Sequence, residues 1–202
     1  YAFGIVVDGQ LVYKGNGGYA NLEEKIPASS NSMFRIASMS KSFTALAILK
    51  LRDEGKLQLD DAVEKYIPVI KGQGLTKDAP LMTIRHLMTH SAGFPEDNPW
   101  GDRQLADTEE DLVALIKNQL SLSNTAGLEY EYSNLGFAML GYIIHKVSGM
   151  TYDTYIAKNI LAPLSMQGTS FEYTDVPKNV FANGYRYIND QWRKEQPLKN
   201  GI

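Results

Sequence analysis

The segment from Phe34 to Ala45 constrains the fold of this 202-residue chain more than any other part of the sequence. It predicts a strand end or loop that turns into a helix, with Ser38 at or near the first helical position. The helix runs to about Asp53, and Gly55 is a typical residue just past a helix C-terminus. Seven apolar residues follow Lys41 within it: Phe43, Ala45, Leu46, Ala47, Ile48, Leu49 and Leu51. Because they lie nearly all round the helix, we expect it in the middle of a domain.

Ser38 and Lys41 are three residues apart and would share one face of that helix. A serine hydroxyl is a poor nucleophile until a base takes its proton, and a lysine amine of lowered pKa can be that base. Backbone N–H groups in a first helical turn can also hold an oxyanion. The spacing alone is weak, since about one chance match is expected in a chain of this length. The alternative is a serine N-cap followed by a solvated lysine, but a lysine at the start of a buried helix favours the functional interpretation.

Composition excludes several classes of function. The chain is 44% hydrophobic and 21% charged, as in an ordinary globular protein. A net charge of −3, without any basic run, argues against a nucleic-acid surface. There is no cysteine, and therefore no disulfide, thiolate zinc site or cysteine nucleophile. No apolar run approaches the roughly 18 residues that span a bilayer. The chain opens at Tyr1 without a methionine, so targeting information can be missing from it.

The order of predicted elements is sheet, helices, then sheet again. The first strand is Tyr1 to Asp8; Asp8-Gly9 forms a hairpin turn, and strands follow at Gln10 to Lys14 and Tyr19 to Ile26. The predicted helices cover Lys56 to Pro68, Ile84 to Thr89 (capped by Thr83), a segment capped by Thr108, Leu135 to Ser148 (ended by Gly149), and Tyr152 to Leu161 (capped by Thr151). Strands return at Thr169 to Thr174 and Val180 to Ile188, before a turn at Asn189-Asp190. This order predicts an α+β fold with parts at 1–60, 61–167 and 168–202.

Four segments, in this order and spacing, resemble the serine β-lactamase and penicillin-binding-protein family, especially its class C β-lactamase and esterase branch. Ser38-Met39-Ser40-Lys41 is similar to the S-x-x-K motif, and Tyr132-Ser133-Asn134, at a helix start, to the Y-x-N motif. Thr83 to Gly93 resembles a stretch that recurs between them, and Pro163 to Phe171 a "PLGM-x-x-T" segment. The likeness runs from near Tyr1 to about Tyr187.

The resemblance implies a role for each matching residue. Ser38 would form an acyl-enzyme, Lys41 and Tyr132 would share its proton as general base and then general acid, and Asn134 would bind substrate and orient Lys41. A tyrosine, with a reference pKa of about 10, needs a nearby cation for this work. The resemblance also implies acyl transfer to water from an amide or ester, as in D-alanyl-D-alanine peptidases, β-lactamases and esterases. No metal or organic cofactor is expected. The substrate would be a small molecule or peptide, and the cell envelope, periplasm or exterior is the favoured location.

Trp100 is the candidate substrate-binding residue at the rim of the site, with Phe94 and the polar loop from Glu96 to Asp107. The alternative is a packed surface aromatic. Core packing of Tyr132 and helix capping by Ser133 and Asn134 are the corresponding alternatives for the Y-x-N motif.

The three histidines are expected to be structural. A Ser-His-Asp hydrolase is the natural rival, but no G-x-S-x-G turn occurs. His86 lies on a short helix, His90 in a loop where it should bond backbone, and His145 among apolar residues. His86 and His90 have a metal-like spacing, but the glutamate of H-E-x-x-H and a third ligand are missing.

The family's third motif, a Lys- or His-led triad such as K-T-G, does not occur in these 202 residues. In the family its strand supplies the second oxyanion-hole N–H, and loss of one such donor costs about 10²–10³ in rate. We therefore expect these residues to be part of a longer chain. If they stand alone, we expect weak turnover and an oligomer that covers the open sheet edge. A non-catalytic binding or regulatory module is the alternative function.

Overall fold

The computed structural model describes residues 1–96, 100, 106–118 and 120–197, and its architecture is α+β, as predicted. The chain divides into two compact units. One contains Tyr1–Ala37 and the described residues from Gly168 onward; the other contains Ser38–Gln167. The division falls just before Ser38, so the helix that follows Ser38 belongs with the helical region. The three sequence-based parts, 1–60, 61–167 and 168–202, stay a prediction.

The first unit is built from short antiparallel pairs of strands. β1 (Ala2–Val7) pairs with β2 (Gln10–Asn16), β3 (Tyr19–Asn21) with β4 (Ile26–Pro27), and β5 (Tyr185–Ile188) with β6 (Gln191–Lys194). Both predicted turns are present. Asp8 and Gly9 have φ of 49° and 75°, and Asn189 and Asp190 have 50° and 58°, which is typical of type I′ hairpins.

Three strand predictions in this unit need correction. The strand expected over Val180 to Ile188 is confined to β5, Tyr185–Ile188, and Phe181 forms only an isolated bridge. The single strand expected over Tyr19 to Ile26 is instead the pair β3 and β4. The strand expected over Thr169 to Thr174 was wrong, because a 3₁₀ helix lies at Tyr173–Asp175. Its alternating aromatic and polar residues suit a pleated surface, but no described strand pairs with it.

The second unit is helical. Its helices are α1 (Lys41–Asp53), α2 (Ile84–Met88), α3 (Glu109–Lys117), α4 (Asn134–Ser148) and α5 (Tyr152–Ile156), and α5 continues as a π-helix over Ala157–Leu161. Helix α4 lies at the centre and packs against α1, α2, α3 and α5. Its buried side chains Leu135, Met139, Leu140, Ile143 and Ile144 form much of the core. None of the described helices combines the length and apolarity that a bilayer span requires.

Helix α1 is less enclosed than the sequence predicts. Ala47, Ile48 and Leu51 are buried completely, whereas Leu46 is 43% exposed. The described helices cover one side of α1, because α4 and α5 pack along it. The apolar residues of its other side therefore retain exposed surface.

Helix termini follow the predicted signals with two exceptions. Thr83 and Thr108 each form a capping box, and Gly149 ends α4 in the left-handed conformation. The helix predicted over Lys56 to Pro68 was wrong, because that segment contains only a 3₁₀ helix at Val63–Lys65. Pro68 begins a second 3₁₀ helix, Pro68–Ile70, because its fixed φ suits a first position. Thr151 occupies the predicted N-cap of α5 but makes no capping bond, since its hydroxyl donates to Asp153 instead.

Candidate active site

Ser38 lies in a 3₁₀ helix, Ala37–Ser40, that leads directly into α1. Three residues on, Lys41 is the first residue of the α-helix. Ala37 has a φ of 46°, a left-handed conformation that costs a non-glycine residue about 1–2 kcal/mol. Such strain is common next to functional groups, and Ser38 itself is exposed.

The start of α4 places Tyr132 and Asn134. Ser133 is the N-cap, and its hydroxyl accepts a hydrogen bond from the Gly136 N–H at 3.0 Å. Ser133 is only 2% exposed, so it fixes the helix start from inside while its neighbours face outward. The predicted capping role therefore falls to Ser133, and the side chain of Asn134 is used elsewhere.

Packing of α1 against α4 brings the four predicted residues into one cluster. The Tyr132 hydroxyl donates to Ser38 Oγ at 2.6 Å, and Lys41 Nζ lies 3.3 Å from the same oxygen. Lys41 Nζ also donates to Asn134 Oδ1 at 2.7 Å. Two groups that can exchange a proton with Ser38 therefore lie within or close to hydrogen-bonding distance of its oxygen.

Two aromatic rings complete the surroundings of Lys41. Its ammonium lies 4.8 Å from the centre of the Tyr132 ring and 5.5 Å from that of Phe137. Cation–π contacts of this kind are worth about 0.5–1 kcal/mol or more and restrict the lysine to one position. From the sequence alone, Phe137 is predicted only to lie on the apolar face of α4. Its spacing of three residues from Asn134 is the signal that could have identified it.

The three histidines have structural partners, in agreement with the prediction. His90 Nδ1 accepts the Ser133 N–H at 3.0 Å, a backbone bond as expected. His86 completes the capping box of α2 by accepting the Thr83 N–H at 3.2 Å. His145 lies 2.6 Å from Glu109, so it pairs with a carboxylate rather than lying among apolar groups alone.

Burial determines the pKa of His86 and of His90. In each case desolvation is the larger cause and lowers the pKa below the ordinary 6.5. The positive charge of Lys41 lowers that of His90 further. Both rings are therefore neutral near pH 7. Within the described ranges, no three acidic or histidine side chains meet in a way that could hold a metal.

Trp100 and Phe94 lie deeper than the sequence analysis expected of rim residues. Trp100 is 5% exposed and Phe94 1%. Both therefore pack against protein. Substrate binding by Trp100 stays a prediction. Most of the Glu96 to Asp107 loop lies outside the described residues.

The Beta-lactamase family model matches residues 1–201, and the chain belongs to that family. Members of this family are serine hydrolases of the β-lactamase and penicillin-binding-protein type. Protein flp of Staphylococcus aureus (strain NCTC 8325) is 36% identical over 195 residues, covering 90% of this chain and 36% of flp. Penicillin-binding protein 4* of Bacillus subtilis (strain 168) is 34% identical over 188 residues, covering 90% of this chain and 40% of the relative. The chain thus spans well under half the length of these relatives.

Solved structures show the same fold. The octameric penicillin-binding protein homologue from Pyrococcus abyssi matches with a TM-score of 0.82 at 35% identity, over 96% of this chain and 46% of that one. EstCE1, a hydrolase with promiscuous acyltransferase activity, matches with a TM-score of 0.79 at 28% identity, over 93% of this chain and 52% of that one. A class C β-lactamase matches with a TM-score of 0.78 at 26% identity, over 98% of this chain and 52% of that one. The predicted family and fold are thereby confirmed.

Proposed function

We propose that this chain carries the nucleophile and proton-transfer groups of a serine hydrolase that acts on an amide or ester through an acyl-Ser38 intermediate. The observation that carries the proposal is the 2.6 Å hydrogen bond from the Tyr132 hydroxyl to Ser38 Oγ, next to Lys41. A serine that served only as a helix cap would have no use for both partners. Membership of the family supports the same reaction class.

In the acylation step, Ser38 Oγ attacks the carbonyl carbon of the substrate and its proton passes to the Lys41–Tyr132 pair. A C–O bond forms as the carbonyl becomes an oxyanion, which the Ser38 N–H at the start of its 3₁₀ helix can stabilise. Collapse of this tetrahedral intermediate breaks the bond to the leaving amine or alcohol, which takes the proton from Tyr132. Both groups lie at the same Ser38 oxygen, so the proton can pass between them.

Water completes the cycle. It attacks the acyl carbon while the same pair accepts its proton, and that proton returns to Ser38 Oγ as the acid leaves. Asn134 holds Lys41 at 2.7 Å throughout, so the amine stays aimed at Ser38. The family resemblance assigns a second oxyanion donor to the third motif, and no Lys-Thr-Gly triad occurs in the sequence.

The substrate is proposed as a class. Names among the relatives and structural neighbours include penicillin-binding proteins, a class C β-lactamase and a hydrolase with promiscuous acyltransferase activity. Together with the family resemblance they leave three candidate substrate types: a D-alanyl-D-alanine peptide, a β-lactam or a simple ester. By analogy with the octameric homologue, the protein is also proposed to self-associate, which light scattering would measure.

Intact-protein mass after incubation with a fluorophosphonate, and separately with a penicillin, tests the proposal. Wild type and Ser42→Ala should each gain one adduct, because Ser42 is an exposed serine one turn beyond Ser38. Ser38→Ala should gain none. The reagent that reacts separates esterase-like from penicillin-recognising chemistry. Absence of an adduct on folded wild type would favour a non-catalytic binding or regulatory module.

A further inference from the structure

His90 holds the backbone on both sides of Tyr132. Its carbonyl oxygen accepts the Glu131 N–H at 2.8 Å, and its ring nitrogen Nδ1 accepts the Ser133 N–H at 3.0 Å. The residues immediately before and after Tyr132 are therefore both bonded to one residue that is 42 positions earlier in the chain. A displacement of His90 would move the Tyr132 Cα with it.

The imidazole also covers the Tyr132 ring. The two rings are stacked with centroids 4.6 Å apart and an interplanar angle of 29°. The imidazole also packs near two further rings: its centre lies 5.0 Å from that of Phe137 and 5.6 Å from that of Tyr130. Phe137 and Tyr132 are the two rings that face the Lys41 ammonium. One imidazole thus packs on both rings that position the lysine.

His90 is itself fixed in an unusual conformation. Its φ is 56°, in the left-handed region that few non-glycine residues adopt. Its N–H donates to the Leu87 carbonyl at 3.4 Å, and the neighbouring Ser91 N–H donates to the His86 carbonyl at 2.9 Å. Helix α2 is capped at its start by the box of Thr83 and His86. The site residue therefore projects from an anchored helix end.

We propose that His90, in its neutral form, is a positioning residue of the acyl-transfer site that holds the Tyr132 hydroxyl within reach of Ser38. The inference rests on the proposed function for its chemical meaning. It assigns to a loop histidine a role in the reaction without contact with substrate. Its two parts, the Nδ1 acceptor and the stacked ring, can be removed separately.

Protonation would disrupt this arrangement. A protonated imidazole carries a proton on Nδ1, which would face the Ser133 N–H donor and lose that bond. The groups that face the ring are Lys41 from α1, Tyr130 and Tyr132 from the preceding segment, and Phe137 from α4. Burial opposes protonation of the ring, and the like charge of Lys41 opposes it further. The acylation rate should therefore fall as the pH drops below 6.5, through the lowered pKa of His90.

Three substitutions of His90 separate the contributions. His90→Asn keeps an acceptor near the position of Nδ1, tolerates the left-handed conformation and loses the stacked ring. His90→Phe keeps a stacked ring and loses the acceptor. His90→Ala loses both. His145→Asn is the matched control, because it removes a histidine about 16 Å along α4 from Asn134.

The first readout is the rate at which a fluorophosphonate labels Ser38, followed by intact mass from pH 5 to 8. We expect His90→Asn and His90→Phe to label about 10-fold more slowly than wild type, and His90→Ala about 10²-fold, since a displacement of about 1 Å can cost that much. The acid fall in rate should vanish in His90→Asn, while His145→Asn should match wild type. Wild-type rates and an unchanged acid limb in all three His90 variants would overturn the proposal.

The second readout does not depend on activity. Crystal structures of wild type and His90→Phe give the distance between Tyr132 Oη and Ser38 Oγ. We expect a hydrogen bond in wild type and a longer separation in the variant; equal distances in both would overturn the proposal. A wild type that is folded but never labelled contradicts the proposed function instead, so the two failures are distinguishable.

Discussion

The Tyr132 hydroxyl lies 2.6 Å from Ser38 Oγ, although 94 positions separate the two residues in the chain. The bond crosses from the start of α4 to the turn before α1, and packing of those helices maintains it. Tyr132→Phe removes the hydroxyl and keeps the ring that stacks on His90. Since proton transfer by a positioned side chain contributes about 10²–10⁴ in rate, we expect fluorophosphonate labelling to slow by at least about 10².

Tyr130→Phe is the matched control for that substitution. Tyr130 is 68% exposed and touches the edge of the His90 ring, so loss of its hydroxyl should leave labelling unchanged. Circular dichroism would establish that both variants are folded. Equal labelling of Tyr132→Phe and wild type would show that Lys41 alone handles the proton.

Asn134 is expected to act by holding the Lys41 amine in position. Asn134→Ala removes the acceptor at 2.7 Å and frees the lysine, so labelling should slow about 10-fold at every pH. Asn134→Asp keeps an oxygen acceptor for Lys41 Nζ at the same position, so its labelling should be faster than that of Asn134→Ala. Labelling rates of both variants measure this, and equal slowing of the two would contradict the assigned role.

The family resemblance predicted four residues that the structure brings together, but not what supports them. Ser38 and Lys41 are close in the chain, and Tyr132 and Asn134 stand at a helix start, so each pair lies within one short motif. His90 was expected only to bond backbone, because nothing local indicates which backbone or which ring it meets. That information depends on how α2 and α4 pack, and on the φ of 56° at His90 itself. The contribution of Phe137 depends in the same way on the position of Lys41.

Gly93 should be the least replaceable glycine near the site. Its φ is 89°, and an added Cβ would lie 2.1 Å from the backbone oxygen of Asn124. Its carbonyl also accepts the Ser123 N–H at 2.9 Å, so the two loops cannot simply move apart. We expect Gly93→Ala to lower the free energy of unfolding by about 3 kcal/mol or more, measured in urea.

Gly55→Ala provides the comparison for Gly93. Its φ of 71° is similarly left-handed, but an added Cβ would have nothing within 4 Å. Only the conformational cost remains, about 1–2 kcal/mol. Equal losses for the two variants would show that conformation, and not the clash with Asn124, limits substitution at Gly93.

Local signals also explain which elements of the fold the sequence could predict. The turns at Asp8-Gly9 and Asn189-Asp190 and the helix caps at Thr83 and Thr108 are contained within a few residues, and each was predicted. The strand expected over Thr169 to Thr174 has the right alternation, but a strand forms only where another lies beside it. Long-range pairing of that kind cannot be read from one segment.

Stability at acid pH should depend on Asp61, whose carboxylate accepts hydrogen bonds from three residues of the segment before α2. Burial alone would raise the pKa of Asp61, but hydrogen bonds from the Tyr66 hydroxyl at 2.5 Å, the Gln58 N–H at 2.9 Å and Lys65 at 2.9 Å lower it to about 2. Because the ordinary value is 3.8, its stabilising contribution is complete above that pH and is lost as the pH falls toward 2.

Asp61→Asn removes that contribution. We expect it to lower the free energy of unfolding by about 1–3 kcal/mol at pH 6, with a difference from wild type that shrinks between pH 4 and 2.5. Asp60→Asn is the control, because Asp60 pairs with Arg85 at the surface, where its side chain is 72% exposed and solvent screens the pair. Urea titrations across this range measure both variants. A difference for Asp61→Asn that stays constant down to pH 2.5 would mean that its carboxylate carries no pH-dependent stability.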